Sequence, residues 1–365
     1  MIPVNKPYLP SFEKYTRYLE RAYAKAWLTN NGPMVQELKL RLEDYLGVKN
    51  LLPVANGTLA MQLAYKVFGL QGEAVTTPFT FIASSSSLAW EGVVPRFADV
   101  DAHSYNLCPQ AASGLISAAT TAIVPVHVYG NPCNVHAFAE LGQQQNLKII
   151  YDAAHAFGIK VADKSVLSFG DASTLSFHAT KVFHSVEGGA VIFNSSDDYE
   201  RAVLMTNFGI DSKTGSITDC GINTKLSEVH AAMGLAVLDD IDSIMQHRIE
   251  LFDQYCYQLK DVVVQPVWHQ QATTNGAYMP VTFADTAHSS AVLDSLARQG
   301  IIARRYFSPS LNQLAHYSQH AADSCPVSES LASRTLCLPL YYDLSADDVT
   351  TVTNAVKQAL YGLTN

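Results

Sequence analysis

The sequence predicts an α/β protein: a large domain on a mostly parallel sheet with helices on both faces, followed by a smaller α+β domain. Three observations lead there. In the N-terminal part, short apolar runs alternate with helical patterns. Those runs are continuous rather than alternating, as in strands buried on both faces. Beyond a long helical pattern at residues 223–260, the order of elements changes.

The elements follow in order. NLLPVAN (50–56) is a short strand, and GTLAMQLAYKVFG (57–69) a helix with Leu59, Leu63, Val67 and Leu70 along one face. EAVTTP (73–78) is strand-like, and FIASSSSLAWEG continues as a helix. Further buried strands are expected at 93–100, 121–130, 147–154, 173–179 and 189–194. The 223–260 helix carries the chain between domains, which places the large domain at 1–245 and the small one at 246–365. There VVVQPV, YMPVTF and RTLCLPL are strands, SSAVLDSLARQG is a helix closed by Gly300, and a last helix begins at Ser345 with Asp347 and Asp348 in its first turn.

Composition narrows the function. The 365 residues are 48% hydrophobic, enough for two cores. Net charge is −9 and no basic run occurs, so nucleic acid is not an expected partner. MIPVNKPYLPSFEKY lacks the form of a signal peptide, and no apolar run is long enough to span a bilayer. The six cysteines are scattered without C-x-x-C or zinc spacing, which fits reduced thiols in a cytoplasm and no metal site. G-x-G, the P-loop, H-E-x-x-H and G-x-S-x-G are all missing. What remains open to a large α/β chain is an organic cofactor held by lysine.

Three pieces, in chain order, suit that chemistry. Asn56-Gly57-Thr58 lies at a strand-to-helix turn, where free N–H groups bind phosphate and Gly57 allows close approach; a plain structural turn has the same form. Asp152 ends a buried strand at the ligand-binding edge of such sheets. There a carboxylate can keep a pyridine nitrogen protonated, as pyridoxal phosphate (PLP) requires, or can merely cap a helix. His155 can bond the cofactor's phenolic oxygen or be an ordinary core histidine. Lys181, in TLSFHATKVFHSVEGGA (174–190), can condense with an aldehyde and later carry a proton, and Ser176 can offer a hydroxyl to the phosphate. A solvated surface lysine is the ordinary alternative for Lys181 alone.

The order phosphate turn, Asp, Lys resembles the DegT/DnrJ/StrS sugar aminotransferases. Matching stretches run nearly end to end: WLTNNGP, ANGT, TTPFTFIAS, VPVHVYGNPCNV, IIYDAAHAFG, SFHATKVF with a later EGGA, FGI, GINTKLSEVHAAMGL and LCLPLYYDLSADDV. Asn56 before Gly57 is the one departure noted.

The resemblance implies a fold-type I, aspartate aminotransferase-like PLP enzyme. Lys181 would bond the cofactor aldehyde, Asp152 its pyridine nitrogen, and His155 would stand near its phenolic oxygen. Gly57, Thr58 and Ser176 would bind the phosphate. Phe81 would cover the ring, with Phe79 the weaker candidate; by spacing alone both are core residues. Asn223 would reach the phosphate of a neighbouring subunit, making a homodimer with shared sites.

The implied reaction moves an amino group from glutamate to a nucleotide-linked keto-sugar. ARRYFSPSL (303–311) and the motifs above look most like the branch that aminates carbon 4 of dTDP-4-keto-6-deoxyglucose for O-antigen and related polysaccharides. Arg304, Arg305 and Tyr306 are the substrate candidates, each with a solvated or ion-paired alternative. Carbon-3 amination in the same family stays open. So does a PLP-dependent sugar dehydratase, whose kind replaces the lysine with histidine, and a non-catalytic PLP-fold protein, which would be expected to lack Lys181 or Asp152.

Overall fold

The computed structural model describes residues 1–211, 213–317 and 323–364. Its strands are β1 (Leu51–Val54), β2 (Glu73–Thr76), β3 (Val94–Phe97), β4 (Thr120–Val124), β5 (Lys148–Asp152), β6 (Lys160–Val161), β7 (Lys164–Ser165), β8 (Ala172–Ser176), β9 (Gly189–Phe193), β10 (Met279–Thr282) and β11 (Thr335–Leu338). Its helices are α1 (Phe12–Ala24), α2 (Pro33–Leu46), α3 (Gly57–Val67), α4 (Ala83–Trp90), α5 (Pro109–Gly114), α6 (Val135–Gln145), α7 (Ser196–Met205), α8 (Glu228–Leu238), α9 (Ile241–Leu259), α10 (Thr286–Arg298), α11 (Pro326–Arg334) and α12 (Ala346–Thr364).

The expected strands of the large domain form one 7-stranded sheet in the order β1-β9-β8-β5-β4-β2-β3. β3, β2, β4, β5 and β8 pair in parallel, while β9 runs antiparallel to β1 and β8. Successive residues point to opposite faces of a strand. Accordingly Ile123 and Ile149 join one core with Leu38, Phe138 and Leu235, while their neighbours Val124 and Ile150 join another with Ala60 and Tyr65. This is why these runs read as continuously apolar. Each such buried side chain contributes about 2 kcal/mol of transfer free energy.

A separate core holds Leu251, Phe252 and Tyr255 of α9 together with β10, α10, β11 and α12. Ile241 and Ile244, earlier on α9, belong instead to the first core. The chain's first residues also lie on the second core: Ile2 pairs with Ile301, and Leu340 N–H donates to Val4 O at 3.2 Å. Helix α12 starts as expected, with Ser345 Oγ accepting from Asp348 N–H (3.1 Å) and Asp348 accepting in return from Ser345 N–H (3.0 Å).

Two expectations need correction. Residues 223–260 are not one helix. The chain is non-helical up to Ser227, whose hydroxyl caps α8, and it breaks again at Asp239-Asp240 before α9. VVVQPV makes only one bridge, Val264 to Thr282, and no named strand. Pro266 has no N–H to extend a ladder, and Val264 and Val267 are exposed.

Candidate active site

The parallel strands send their carboxyl ends to one edge of the sheet, where ligands of open α/β sheets bind. Asp152 is the last residue of β5 and Ser176 the last of β8. Val54 of β1, Gly189 of β9 and Ser176 lie in one row across three strands. The turn after β1 therefore reaches Ser176. Asn56 caps α3 by accepting from Leu59 N–H at 2.8 Å. The N–H groups of Gly57 and Thr58 are left without a partner among the described residues. A Cβ on Gly57 would lie 3.0 Å from Ser176 Cβ, so only glycine fits this approach comfortably. Two free donors beside a hydroxyl make a site suited to a phosphate.

Asp152 is buried and accepts two hydrogen bonds, from Ser84 Oγ (2.7 Å) and from Ala154 N–H (3.1 Å). Ser84 is in turn paired with Thr80 Oγ1 at 3.0 Å. These donors hold the carboxylate in place.

Three residues on, His155 is buried with its ring stacked on Phe307 (5.7 Å, 2°) and edge-on to Tyr278 (4.8 Å). Its Nδ1 accepts from Tyr129 N–H at 3.2 Å, which leaves Nε2 to carry the proton. Burial, and then the charge of Lys181, push its pKa well below the ordinary value, so the ring is neutral. A neutral imidazole with an Nε2–H is a hydrogen-bond donor.

Lys181 follows β8 and shares a cavity with His155, Ser176, Thr180 and Tyr278. It is half-buried, not solvated on the surface. Burial pushes its pKa down to about 8, against the opposing pull of Asp152 and Tyr306. An appreciable minority of the amine is therefore neutral near physiological pH, as a nucleophile for an aldehyde must be. The Tyr278 ring centroid lies 6.0 Å from Nζ.

The model of the DegT/DnrJ/EryC1/StrS aminotransferase family matches residues 12–357. The chain belongs to that family. It is 39% identical to the dTDP-4-amino-4,6-dideoxy-D-glucose transaminase of Shigella dysenteriae over 97% of this chain and 98% of that protein. It is 29% identical to the GDP-perosamine synthase of Vibrio cholerae, with 98% of each chain covered. The solved structure of DesI in the presence of its TDP-sugar product matches with a TM-score of 0.93 at 33% identity, covering 99% of this chain and 93% of that one. At this level the protein is a PLP-dependent sugar aminotransferase of fold type I, as expected. The free donors at Gly57 and Thr58, the carboxylate of Asp152 and the partly neutral Lys181 suit that cofactor.

The outer candidates of this DegT-family site are less uniform. Phe79 is fully buried, packed edge-on against Tyr105, Tyr129 and Phe307, whereas Phe81 is 59% exposed and free to cover a ligand. Asn223 is exposed and does not line the cavity of Lys181. Tyr306 lines an adjoining cavity with Asn5, Thr180 and Tyr278. Arg304 is exposed, its backbone bridged to Cys337.

Arg305, the other arginine candidate, is bonded to α10. Its Nη2 donates to Ser289 Oγ (3.0 Å) and Ser290 Oγ (2.8 Å), which commits the guanidinium to α10. Two site residues went unmarked by sequence reasoning. Ser84 sits within a run of four serines that nothing distinguishes, and Tyr278 comes from a small-domain strand region with no motif. Among the described residues no helix is long and apolar enough to cross a membrane.

Proposed function

We propose that the protein moves an amino group from glutamate to dTDP-4-keto-6-deoxy-D-glucose, giving dTDP-4-amino-4,6-dideoxy-D-glucose. The observation that carries the transfer is the Lys181 amine, held near a pKa of about 8 in one cavity with a neutral His155. What supports the sugar is the likeness to the Shigella dysenteriae transaminase across 97% of the chain, and the TDP-sugar product of DesI.

In this reading Lys181 would hold the cofactor at its aldehyde and Asp152 would pair with its ring nitrogen. His155 Nε2 would donate to the phenolic oxygen, Gly57, Thr58 and Ser176 would take the phosphate, and Phe81 would cover a ring face. Bound PLP supplies an electron sink for the carbon that loses a proton. With its amine free, Lys181 Nζ would remove the proton from the α-carbon of glutamate. In the return half it moves the proton at carbon 4 of the sugar. Water taken up as 2-oxoglutarate forms is returned when the keto oxygen leaves, so no oxidant is needed. Donor and acceptor use one site in turn, which predicts ping-pong kinetics.

The same reading includes a cytoplasmic homodimer, with Asn223 of each subunit completing the other's phosphate site, and a place in O-antigen or lipopolysaccharide synthesis. It divides the chain near residue 245, within α9. A GDP-linked 4-keto sugar is the second reading, favoured by the 29% identity to GDP-perosamine synthase over 98% of the chain.

The test offers purified holoprotein glutamate with the dTDP-linked 4-keto sugar, its 3-keto isomer and a GDP-linked 4-keto sugar, and locates nitrogen in the product by NMR. Amination at carbon 4 of the dTDP sugar is expected. Turnover of the GDP sugar alone, or nitrogen on carbon 3, overturns the choice of sugar. No amination of any of them overturns the whole reading.

A further inference from the structure

Arg248 on α9 is buried at 4% exposure, and its described hydrogen bonds go to carbonyls rather than to a carboxylate. Nε donates to Gly276 O at 3.0 Å and Nη2 to Ala277 O at 3.1 Å. Burial lowers its pKa to about 10, so it stays charged at neutral pH. A buried cation without a counterion is costly, and a neutral side chain of similar shape would pack at lower cost. The residues it grips lead directly to the site.

Gly276 has φ +58°, and a Cβ there would meet Arg248 O at 2.7 Å, so the turn is pressed against α9. On its other side the turn is tied to the histidine loop: Asn275 Nδ2 donates to His155 O (2.9 Å) and to Phe157 O (3.0 Å). Next in the chain is Tyr278, whose ring lies 4.8 Å from His155, 5.8 Å from Tyr306 and 6.0 Å from Lys181 Nζ.

We propose that Arg248 is a positioning residue: through Gly276 and Ala277 it holds the Tyr278 ring over Lys181 and so keeps water from the amine. The guanidinium does not touch Lys181. The groups that face the amine are Asp152 from β5, His155 from the loop after it, Tyr306 from the small domain and Tyr278 itself. Asp152 and Tyr306 raise its basicity; only its dry surroundings lower it. Loosening Tyr278 admits water and leaves the raising charges in place. The amine then becomes more basic.

The test reads Lys181 in the apoprotein and does not depend on which sugar is aminated, or on whether any is. Acetic anhydride labels neutral amines, and mass spectrometry of the Lys181 peptide across a pH series gives its titration midpoint. Exposed Lys6 serves as the internal control. In the wild type the midpoint is expected at about 8. Tyr278→Ala and Arg248→Met are each expected to raise it by about 1 unit, which lowers labelling at pH 8 about fivefold. The double variant is expected to shift it no further than Tyr278→Ala alone. Arg248→Lys, which keeps the charge but only part of the grip, should fall between, and it serves alone if Arg248→Met does not fold. A wild-type midpoint in the Arg248 variants while Tyr278→Ala shifts, or additive shifts in the double variant, overturns the proposal. So does an equal shift of Lys6, which would mean general loosening.

Discussion

Gly57→Ala sets two effects of known size against each other. The added Cβ would lie 3.0 Å from Ser176 Cβ and 3.3 Å from Ser176 Cα. Carbons rest at about 3.5–4.0 Å, so the closer pair is short by roughly 0.5 Å. Ser176 has little room to retreat, because β8 lies between β5 and β9 and Ser176 is paired with Gly189. Overpacking of this kind costs about 1–3 kcal/mol. Helix propensity works the other way, since alanine exceeds glycine by about 1 kcal/mol inside a helix and by less at its first residue. Strain wins, by about 1 kcal/mol. The apoprotein should melt roughly 1 °C lower. PLP should be held more weakly still, because the displaced Ser176 hydroxyl no longer meets the phosphate. One lost hydrogen bond to a charged group is about 1.5–3 kcal/mol, roughly tenfold or more in affinity. Scanning calorimetry of the apoprotein and a PLP titration followed by absorbance measure the two effects separately. An unchanged or higher melting temperature, with PLP affinity within about twofold of wild type, would refute the close-approach argument.

Other expectations concern the chemistry and the assembly. Lys181→Met should abolish transamination while the fold survives, and near-normal turnover without added amines would remove the lysine from the mechanism. The same variant tests a pH effect. The folded pKa of Lys181 is lowered from 10.5 to about 8, so the unfolded chain binds more protons between those values and stability gains a rising contribution there; denaturant melts of Lys181→Met should lack that part of the slope. Asp152→Asn keeps the acceptor oxygen from Ser84 but loses the charge, so activity should fall strongly and PLP should dissociate more readily; unchanged absorbance titrations would place the carboxylate elsewhere. Mixing Lys181→Ala with Asn223→Ala subunits should restore some activity through the one intact hybrid site, and verified exchange without recovery would remove the shared site.

How much of this was legible depended on where each signal lay. The central strands were readable because burial on both faces makes them apolar throughout, as at Ile149 and Ile150. Asp152 and Lys181 stood out because a strand end and a glycine-flanked loop frame them locally. Residues 223–227 were read as helix because their composition carries no strong period, and their extended form comes from pairing, with Asn207 and with Val54, that sequence does not announce. For Arg305 the sequence left a substrate contact and a bonded arginine both open, because the two hydroxyls it meets come from α10, earlier in the chain. Ser84, Tyr278 and Arg248 act on groups far from them in sequence, so their importance follows from packing alone.

The bridge between Ile2 and Ile301, with Leu340 bonded to Val4, joins segments far apart in the chain. A ribosome-bound chain can finish the seven-stranded sheet once β9 has emerged, but its first residues must wait for almost everything else. Asn5, which donates to Thr180 O at 2.6 Å beside Lys181, waits with them. Loop closure on that scale is slow relative to local pairing. The wall that Asn5 gives the cavity adjoining that of Lys181 is therefore among the last parts of the molecule to be completed.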